Sequence, residues 1–366
     1  MSKKQFKAES KRLLDLMINS IYTHKEIFLR EIISNASDAI DKLAYRALTD
    51  EGVGMNRDDF RILIAADKDA GTLTVSDNGI GMTQEELEQN LGVIAKSGSM
   101  AFKAEHGADG KAGDTDIIGQ FGVGFYSAFM VSDKVTVISR AYGEDKAHRW
   151  ESSGADGYTI SECEKDAPGT DVIMHMKPDD DNERYSDFLM PWKIMRLVKK
   201  YSDYIRWPIQ MDVERPEARE TGEKNEDGSP KYETVTTVER ETINSQVPIW
   251  QRSKSEVTDE DCMNFYKEHW HDSTDPAAVI RINAEGQVSY KALLFIPGRQ
   301  LLDYMTSSYE PGLELYSSGV MIMEHCADVL AESFYFVRGI VDSPDLSLNI
   351  SREMLQHDRQ LRLIAQ

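Results

Sequence analysis

One amphipathic stretch, from about Glu26 to Leu48, restricts the possible folds of this chain most strongly. Its large apolar residues recur every three or four positions, as on one face of a helix. They are Phe28, Leu29, Ile32, Ile33, Ala36, Ile40 and Leu43. Alternating, strand-like patterns follow at 60–64, 72–76, 134–138, 158–160 and 171–176. The chain is therefore predicted to combine helices and strands in its first half.

Charge and cysteine content exclude several classes of protein. The 366 residues include 63 acidic and 42 basic side chains, a formal net charge of -21, which disfavours sequence-independent binding to nucleic acid or to anionic membranes. No run of eighteen apolar residues and no secretory signal occurs, so neither a membrane span nor export is expected. The three cysteines are far apart and form no Cys-x-x-Cys pair, which favours a reducing, cytoplasmic environment.

The second half of the chain is predicted to be another folded region. Residues 214–241 are rich in charge and poor in aromatic residues, so they are predicted to form a flexible junction. Beyond them, Thr258 and Asp261 form a capping pattern, and strands are predicted at 288–295 and 319–323. The aromatic run 334–337 is predicted to be a core strand. The chain stops at Gln366 within a helical pattern, and we expect it to be the front of a longer protein.

The first motif that could carry chemistry lies on the long helix. Glu31, Asn35 and Asp38 fall at i, i+4 and i+7, so a carboxylate, an amide and a second carboxylate line one stripe. Such a stripe could place a water molecule beside a phosphate-bound cation, since Mg²⁺ takes few protein oxygens. Taken alone, the pattern is equally typical of a solvated helix face.

The second motif runs from Asp77 through Gly79 and Gly81 to Thr83. Asn-Gly is a strong hairpin signal, but Thr83 and Glu86 form a capping box, which favours a following helix. An acid at a strand end, followed by glycines, suits the floor of a pocket for a flat ring with an amine. A plain turn between strand and helix stays open at this point.

The third motif is a glycine-rich segment, 117–128. Its order of glycines matches neither the dinucleotide-binding fingerprint nor a Walker A loop. Amides at the start of a helix can still bind an anion, and the segment is predicted to open a helix. The residues before Ile117 have little apolar periodicity and are predicted to form a surface loop.

Four blocks together resemble the ninety-kilodalton heat-shock chaperones: residues 25–39, 77–83, 94–98 and 119–127. The similarity covers the whole chain, including 248–250 and 348–356, and the short junction resembles that of bacterial members. The resemblance implies an α+β fold, a two-layer α/β sandwich of the GHKL (Bergerat) ATPase type with a mixed, mostly antiparallel sheet. The implied division is an ATP-binding domain at 1–213 with a lid at 97–124, a charged linker at 214–241, and a truncated α/β middle domain at 242–366.

The resemblance also implies a site for ATP or ADP with Mg²⁺. Glu31 would orient or deprotonate the attacking water, Asn35 would hold Mg²⁺, and Asp77 would accept from the adenine amine. Arg352, with Gln356 one turn further on, would reach the γ-phosphate from the second domain. The other implied nucleotide-binding residues are Asp38, Gly81, Met82, Asn90, Lys96, Gly119, Gln120, Phe121, Gly122, Val123, Gly124, Phe125 and Thr170.

As a function, the resemblance implies an ATP-dependent molecular chaperone that acts on non-native client proteins and is a homodimer in full-length form. Two rival classes stay open. A topoisomerase or mismatch-repair ATPase is disfavoured by the net charge of -21. A nucleotide-sensing module without catalysis is disfavoured by Glu31 and Arg352. A histidine kinase is not expected, because no helix bearing a histidine for dimerisation precedes the ATP-binding region.

Overall fold

The computed structural model describes residues 24–93, 118, 122–154, 156–224, 230–253, 255–300, 304, 306, 309–346 and 359–365. The α-helices are α1 (Ile27–Ala47), α2 (Gln84–Leu91), α3 (Pro191–Tyr201), α4 (Asp259–His269) and α5 (Arg359–Ile364). The strands are β1 (Ile62–Asp67), β2 (Thr72–Asp77), β3 (Ser132–Arg140), β4 (Ala147–Ser152), β5 (Tyr158–Cys163), β6 (Gly169–Met176), β7 (Ile209–Lys224), β8 (Pro230–Thr242), β9 (Ala278–Ala284), β10 (Tyr290–Ile296), β11 (Leu313–Ser317), β12 (Val320–Cys326) and β13 (Arg338–Asp342).

The first eight strands form one mixed sheet in the order β5-β4-β3-β6-β2-β1-β7-β8. All neighbouring pairs are antiparallel except β1 and β7, which run parallel. This confirms the predicted mixed, mostly antiparallel sheet with helical segments packed on it.

Helix α1 lies on this sheet because its apolar stripe faces the inward residues of β2. Ile33 and Ile40 on the helix, and Leu73 on the strand, are fully buried. Each such side chain contributes roughly 1.5–3 kcal/mol through burial. The helix is therefore fixed over the strand ends, which positions the polar stripe on the adjoining helix face.

The charged segment at 214–241 differs from the prediction of a flexible junction. It forms most of β7 and β8, which pair in a long antiparallel register. Residues 234–238 are all threonine or valine, and such β-branched residues favour a strand. Opposed charges pair across the strands, as between Arg240 Nε and Asp212 Oδ1 at 2.8 Å. The highly charged segment is therefore a pair of solvent-exposed strands.

A second sheet follows, in the order β12-β11-β13-β10-β9, with α4 preceding it in the chain. Its β11 and β13 run parallel and the other pairs are antiparallel. Aromatic rings join it to the first half: the Tyr204 ring lies 4.7 Å from that of Trp250 and 5.6 Å from that of Tyr316. Lys200 Nζ on α3 also pairs with Glu324 on β12 at 2.9 Å.

Two further sequence predictions can be compared with the structure. The run 334–337 is not a core strand: Phe334 ends a short 3₁₀ turn and is 54% exposed, and β13 begins only at Arg338. Over the residues that the structure describes, none of the helices combines the length and apolar character needed to cross a membrane.

Candidate functional site

The polar stripe of α1 forms one wall of the candidate site. Glu31 and Asp38 are buried, whereas Asn35 between them is exposed. The sequence analysis missed Lys42, which extends the stripe by one more turn and is partly buried. Burial lowers the pKa of its ammonium group, and the carboxylates of Asp38, Glu86 and Asp77 oppose that shift. The signal was present in the sequence, because Lys42 follows Asp38 at i+4.

Glu31 is held by its neighbour in the chain. Both Nε and Nη2 of Arg30 donate to Glu31 Oε1, at 3.0 and 2.9 Å, and the two side chains are almost completely buried. Arg30 Nη1 also donates to the backbone oxygen of Met321 at 3.4 Å. The other carboxylate oxygen, Oε2, lies so close to Gly124 that a Cβ atom there would be 2.5 Å away. Glu31 is therefore fixed by a tight ion pair while its second oxygen faces the glycine-rich segment.

Asp38 anchors that segment from the next turns of the helix. Its Oδ1 accepts a hydrogen bond from the backbone N–H of Ile118 at 2.7 Å. Asp38 therefore has a structural role, because it holds the backbone of the glycine-rich segment. Its implied binding to nucleotide stays a prediction.

Gly122 and Val123 lead into a 3₁₀ helix, Gly124–Met130, where the sequence predicted a helix start. The first N–H groups of such a helix have no partner within it and point outward from its start. At the opposite end, Lys177 Nζ donates to the oxygens of Phe129 and Met130, at 2.8 and 3.0 Å. The lysine satisfies the last carbonyls and fixes the short helix beside α1.

Asp77 ends β2 and its side chain turns back onto the following loop. Gly79 N–H donates to Asp77 Oδ1 at 2.9 Å. Burial raises the pKa of the Asp77 carboxyl from 3.8 to about 7, although the Gly79 amide and the Lys165 ammonium oppose the shift. A strand-end carboxylate held in a poorly solvated place is a good acceptor for a ligand amine.

The loop after β2 packs closely against both α1 and β3. Its glycines permit this close packing because they have no side chain. Ile80 N–H donates to the oxygen of Ala39 on α1 at 3.0 Å, and a Cβ at Gly79 would lie 2.4 Å from the Ala39 carbonyl carbon. A helix follows rather than a returning strand, since Thr83 accepts from Glu86 N–H at 3.2 Å and caps α2. The hairpin alternative is therefore wrong.

Gly81 should tolerate no side chain. Its φ is +66°, and a Cβ would lie 1.9 Å from the carbonyl oxygen of Arg140. We expect Gly81→Ala to lower the free energy of unfolding by roughly 3 kcal/mol in urea denaturation, from backbone strain plus displacement of β3. Gly71→Ala is the matched control: Gly71 has φ +65°, and no described atom lies within 4 Å of where its Cβ would be. Equal losses in the two variants would contradict a close contact at Gly81.

Thr170 and Ser139 complete the floor beside Asp77. Thr170 lies opposite Asp77 in the register of β2 and β6, and Ser139 lies opposite Thr170 in that of β6 and β3. The two hydroxyl oxygens are 2.8 Å apart, and Ser139 Oγ also accepts from Met82 N–H at 2.8 Å. Sequence analysis missed Ser139. The available signal was a serine in the inward row of β3, after Val135 and Val137.

The structure places the remaining predicted residues as follows. Asn90 on α2 is partly buried, and its Nδ2 lies 3.8 Å from Met82 Sδ. Lys96, Gly119, Gln120, Phe121, Arg352 and Gln356 lie outside the described residues, as does most of the predicted lid. Within the described parts of the chain, no three His, Cys, Asp or Glu side chains form a cluster that could hold a metal.

The polar groups of the candidate site lie at two places that a ligand could contact. An acceptor and a hydroxyl lie at the strand ends, and an exposed amide and a paired carboxylate lie along α1. Glu31 and Lys42 are eleven residues apart on the helix, a separation of about 16 Å at the rise of an α-helix. A long ligand could therefore contact both ends of the stripe.

Two family models match parts of this chain. A family model described as "Hsp90 protein" matches residues 214–366, and one described as "Histidine kinase-, DNA gyrase B-, and HSP90-like ATPase" matches residues 22–162. The chain is 58% identical over 365 residues to the chaperone protein HtpG of Bacillus subtilis, an alignment that covers 100% of this chain and 56% of that relative.

Two further relatives give the same result. The chaperone proteins HtpG of Clostridium perfringens and Clostridium acetobutylicum are each 57% identical over 365 residues, with 100% of this chain and 57% of each relative covered. The chain thus spans somewhat more than half the length of the curated relatives that it matches.

Proposed function

The chain belongs to the Hsp90 family, and from this premise we propose that it binds and hydrolyses Mg-ATP as part of an ATP-dependent molecular chaperone. The family's ATPase model matches the half of the chain that contains the candidate site. The observation that carries the proposal is the placement of Asp77, whose partly buried carboxylate ends a central strand beside a glycine loop. In that place the carboxylate could accept from the amine of adenine.

Glu31 is the candidate catalytic base. Its Oε2 lies beside the backbone of Gly124, near the end of the 119–125 segment proposed to bind the phosphates. A carboxylate in this place could orient a water molecule or take its proton as the water attacks the γ-phosphate. Arg30 occupies Oε1, so Oε2 would carry this role.

Asn35 is the candidate ligand for Mg²⁺, which when bound would neutralise phosphate charge during transfer. The residues fit such a cation, because the Asn35 side chain is exposed on the stripe and offers one amide oxygen. Mg²⁺ commonly takes one or two protein oxygens and completes its shell with phosphates and water.

We expect Mg²⁺ to bind only together with nucleotide. Asn35 offers one amide oxygen, and the other ligands of Mg²⁺ would come from the phosphates and from water. Calorimetric titration of Mg²⁺ into the apo protein should give no measurable heat of binding, whereas titration in the presence of ADP should. Binding of Mg²⁺ at micromolar concentration without nucleotide would contradict the assignment of Asn35.

The proposed function has a direct test in three measurements on the chain. ATP should bind in calorimetry, inorganic phosphate should be released at a steady rate, and ATP should change the protein's effect on aggregation of a heat-unfolded enzyme. Binding without any phosphate release would favour the nucleotide-sensing module instead. Absence of ATP binding would overturn the proposal.

The remaining parts of the proposal concern the longer protein. We propose non-native client proteins as partners, a homodimer in the full-length form and a cytoplasmic location. The net charge of -21 and the names of the relatives, all chaperones, support these assignments over a role on nucleic acid. A DNA titration at physiological salt should therefore show no binding.

A further inference from the structure

Three polar side chains form a row across the centre of the first sheet. Asp77 on β2 lies opposite Thr170 on β6, and Thr170 lies opposite Ser139 on β3. Residues that are directly opposite in a sheet point to the same face and lie within contact distance. Asp77 keeps some exposure, Thr170 is 6% exposed and Ser139 is fully buried. The row therefore leads from the partly exposed end of β2 into the core.

The Ser139 hydroxyl contacts three polar atoms but has only one proton to donate. Its Oγ accepts from Met82 N–H at 2.8 Å, lies 2.8 Å from Thr170 Oγ1 and is 3.3 Å from the oxygen of Gly169. A serine hydroxyl donates once and can accept twice. The contact with Thr170 has the ordinary length of an O–H···O hydrogen bond whichever of the two hydroxyls donates, and when Ser139 donates there it gives up the longer donation to the Gly169 oxygen.

Resting on the proposed function, we propose that Ser139 is a positioning residue that donates to Thr170 Oγ1 and so leaves the Thr170 proton free to be donated to the nucleotide base. Thr170 then presents a donor beside the acceptor Asp77. Adenine offers the complementary edge, an amine donor next to a ring-nitrogen acceptor. Guanine offers the reverse, an oxygen acceptor next to an N–H donor. Ser139 would therefore set the preference for adenine nucleotides, through a direct contact of Thr170 or through one water molecule.

The same hydroxyl also fixes the second side of the pocket. The Met82 amide that bonds to Ser139 lies directly after Gly81, in the loop that follows Asp77. One buried side chain on β3 thus contacts both the loop after Asp77 and β6. Buried groups that are left without a partner are costly, so removal of the Ser139 hydroxyl should disturb both of these contacts.

The test compares ATP and GTP binding by calorimetry in the wild type and in Ser139→Ala. We expect the wild type to prefer ATP by at least about 100-fold, and the variant to lose about 10-fold of that ratio, the effect of one hydrogen bond. In a Thr170→Val background, Ser139→Ala should change the ratio less than about 2-fold, since the coupled partner is already absent. An unchanged ratio in Ser139→Ala, or an equal effect in both backgrounds, would overturn the inference.

Ser132→Ala is the matched control for a purely structural role. Ser132 lies on the same strand, is 1% exposed and donates to the oxygen of Ala128 at 2.6 Å, away from the row. Its loss should lower the melting temperature without changing the ratio of ATP to GTP affinity. If Ser139→Ala does not fold, Ser139→Cys keeps a similar volume with a weaker donor, and the ratio should shift in the same direction.

The outcomes separate this inference from the proposed function. A wild type that binds ATP, with a ratio that Ser139→Ala leaves intact, would remove the role of Ser139 and keep the ATP site. Equal affinities of the wild type for ATP and GTP would likewise remove the role of Ser139 and keep the ATP site. Only a wild type that binds no ATP would remove both.

Discussion

Asp77→Asn is expected to weaken ATP binding by at least about 100-fold. The variant places an amide N–H₂ where a carboxylate oxygen would accept from the adenine amine, so two donors face each other and one buried pairing is lost. The fold should survive, because the Asn side-chain oxygen can still accept from Gly79 N–H, as Asp77 Oδ1 does at 2.9 Å. Calorimetry with ATP and ADP measures the effect.

In the absence of ligand, the same substitution should raise the free energy of unfolding at high pH. Because the pKa of the folded Asp77 carboxyl is raised from 3.8 to about 7, the folded state binds a proton that the unfolded state lacks between these values. Wild-type stability therefore falls as pH rises through this range, and the full penalty applies above pH 7. Since the carboxyl keeps some solvent contact, we expect a gain of about 1–2 kcal/mol at pH 8. The gain should vanish near pH 4.

The control for both effects is Asp67→Asn. Asp67 also ends a strand and accepts from backbone N–H groups, those of Asp69 and Ala70 at 3.0 and 2.8 Å, but it is exposed and outside the cleft. It should leave ATP affinity unchanged and give no gain in stability at pH 8. Equal ATP affinity in wild type and Asp77→Asn would reject the site assignment altogether.

Glu31→Gln is expected to keep ATP affinity within about 3-fold and to lower the rate of hydrolysis by about 100-fold or more. General-base assistance typically contributes 10²–10⁴-fold, and an amide cannot supply it. The amide oxygen can still accept from Arg30, which donates twice to Glu31 Oε1. Glu31→Ala is less suitable, because it leaves the buried Arg30 guanidinium without that acceptor and should cost about 3 kcal/mol of stability.

Single-turnover phosphate release and ATP calorimetry separate the two effects. Glu26→Gln is a fitting control, since Glu26 immediately precedes the same helix and accepts from Tyr201 Oη at 2.6 Å, on the side of α3 rather than of the glycine-rich segment. It should retain turnover. Undiminished hydrolysis in Glu31→Gln would show that another group activates the water.

Local patterns in the sequence predicted individual elements well. The long helix was expected at about 26–48 and spans Ile27–Ala47, because its apolar period is set by residues close in the chain. Capping boxes at Thr83 and Thr258 were predicted and both are formed, with Oγ1 distances of 3.2 and 3.1 Å. Such signals need no distant partner, so they can be recognised in one sequence.

Composition alone predicted the secondary structure of a segment less well. The charged segment 214–241 was expected to be flexible and instead forms two paired strands, because opposed charges neutralise each other across the register. The aromatic run 334–337 was expected to be a core strand, yet it turns: Val337 N–H donates to the oxygen of Phe334 at 2.8 Å. Neither the charge content nor the aromatic content of a segment determines its secondary structure.

The sequence by itself determined the helix with its polar stripe, the strand-end aspartate and the glycine-rich segments, since each depends on spacing within a few residues. Tertiary structure alone decided which of them meet. Asp77, Thr170 and Ser139 come together through the registers of β2, β6 and β3, although they are far apart in the chain. Strand register follows from the packing of whole faces against α1, a collective property that no short stretch of sequence contains.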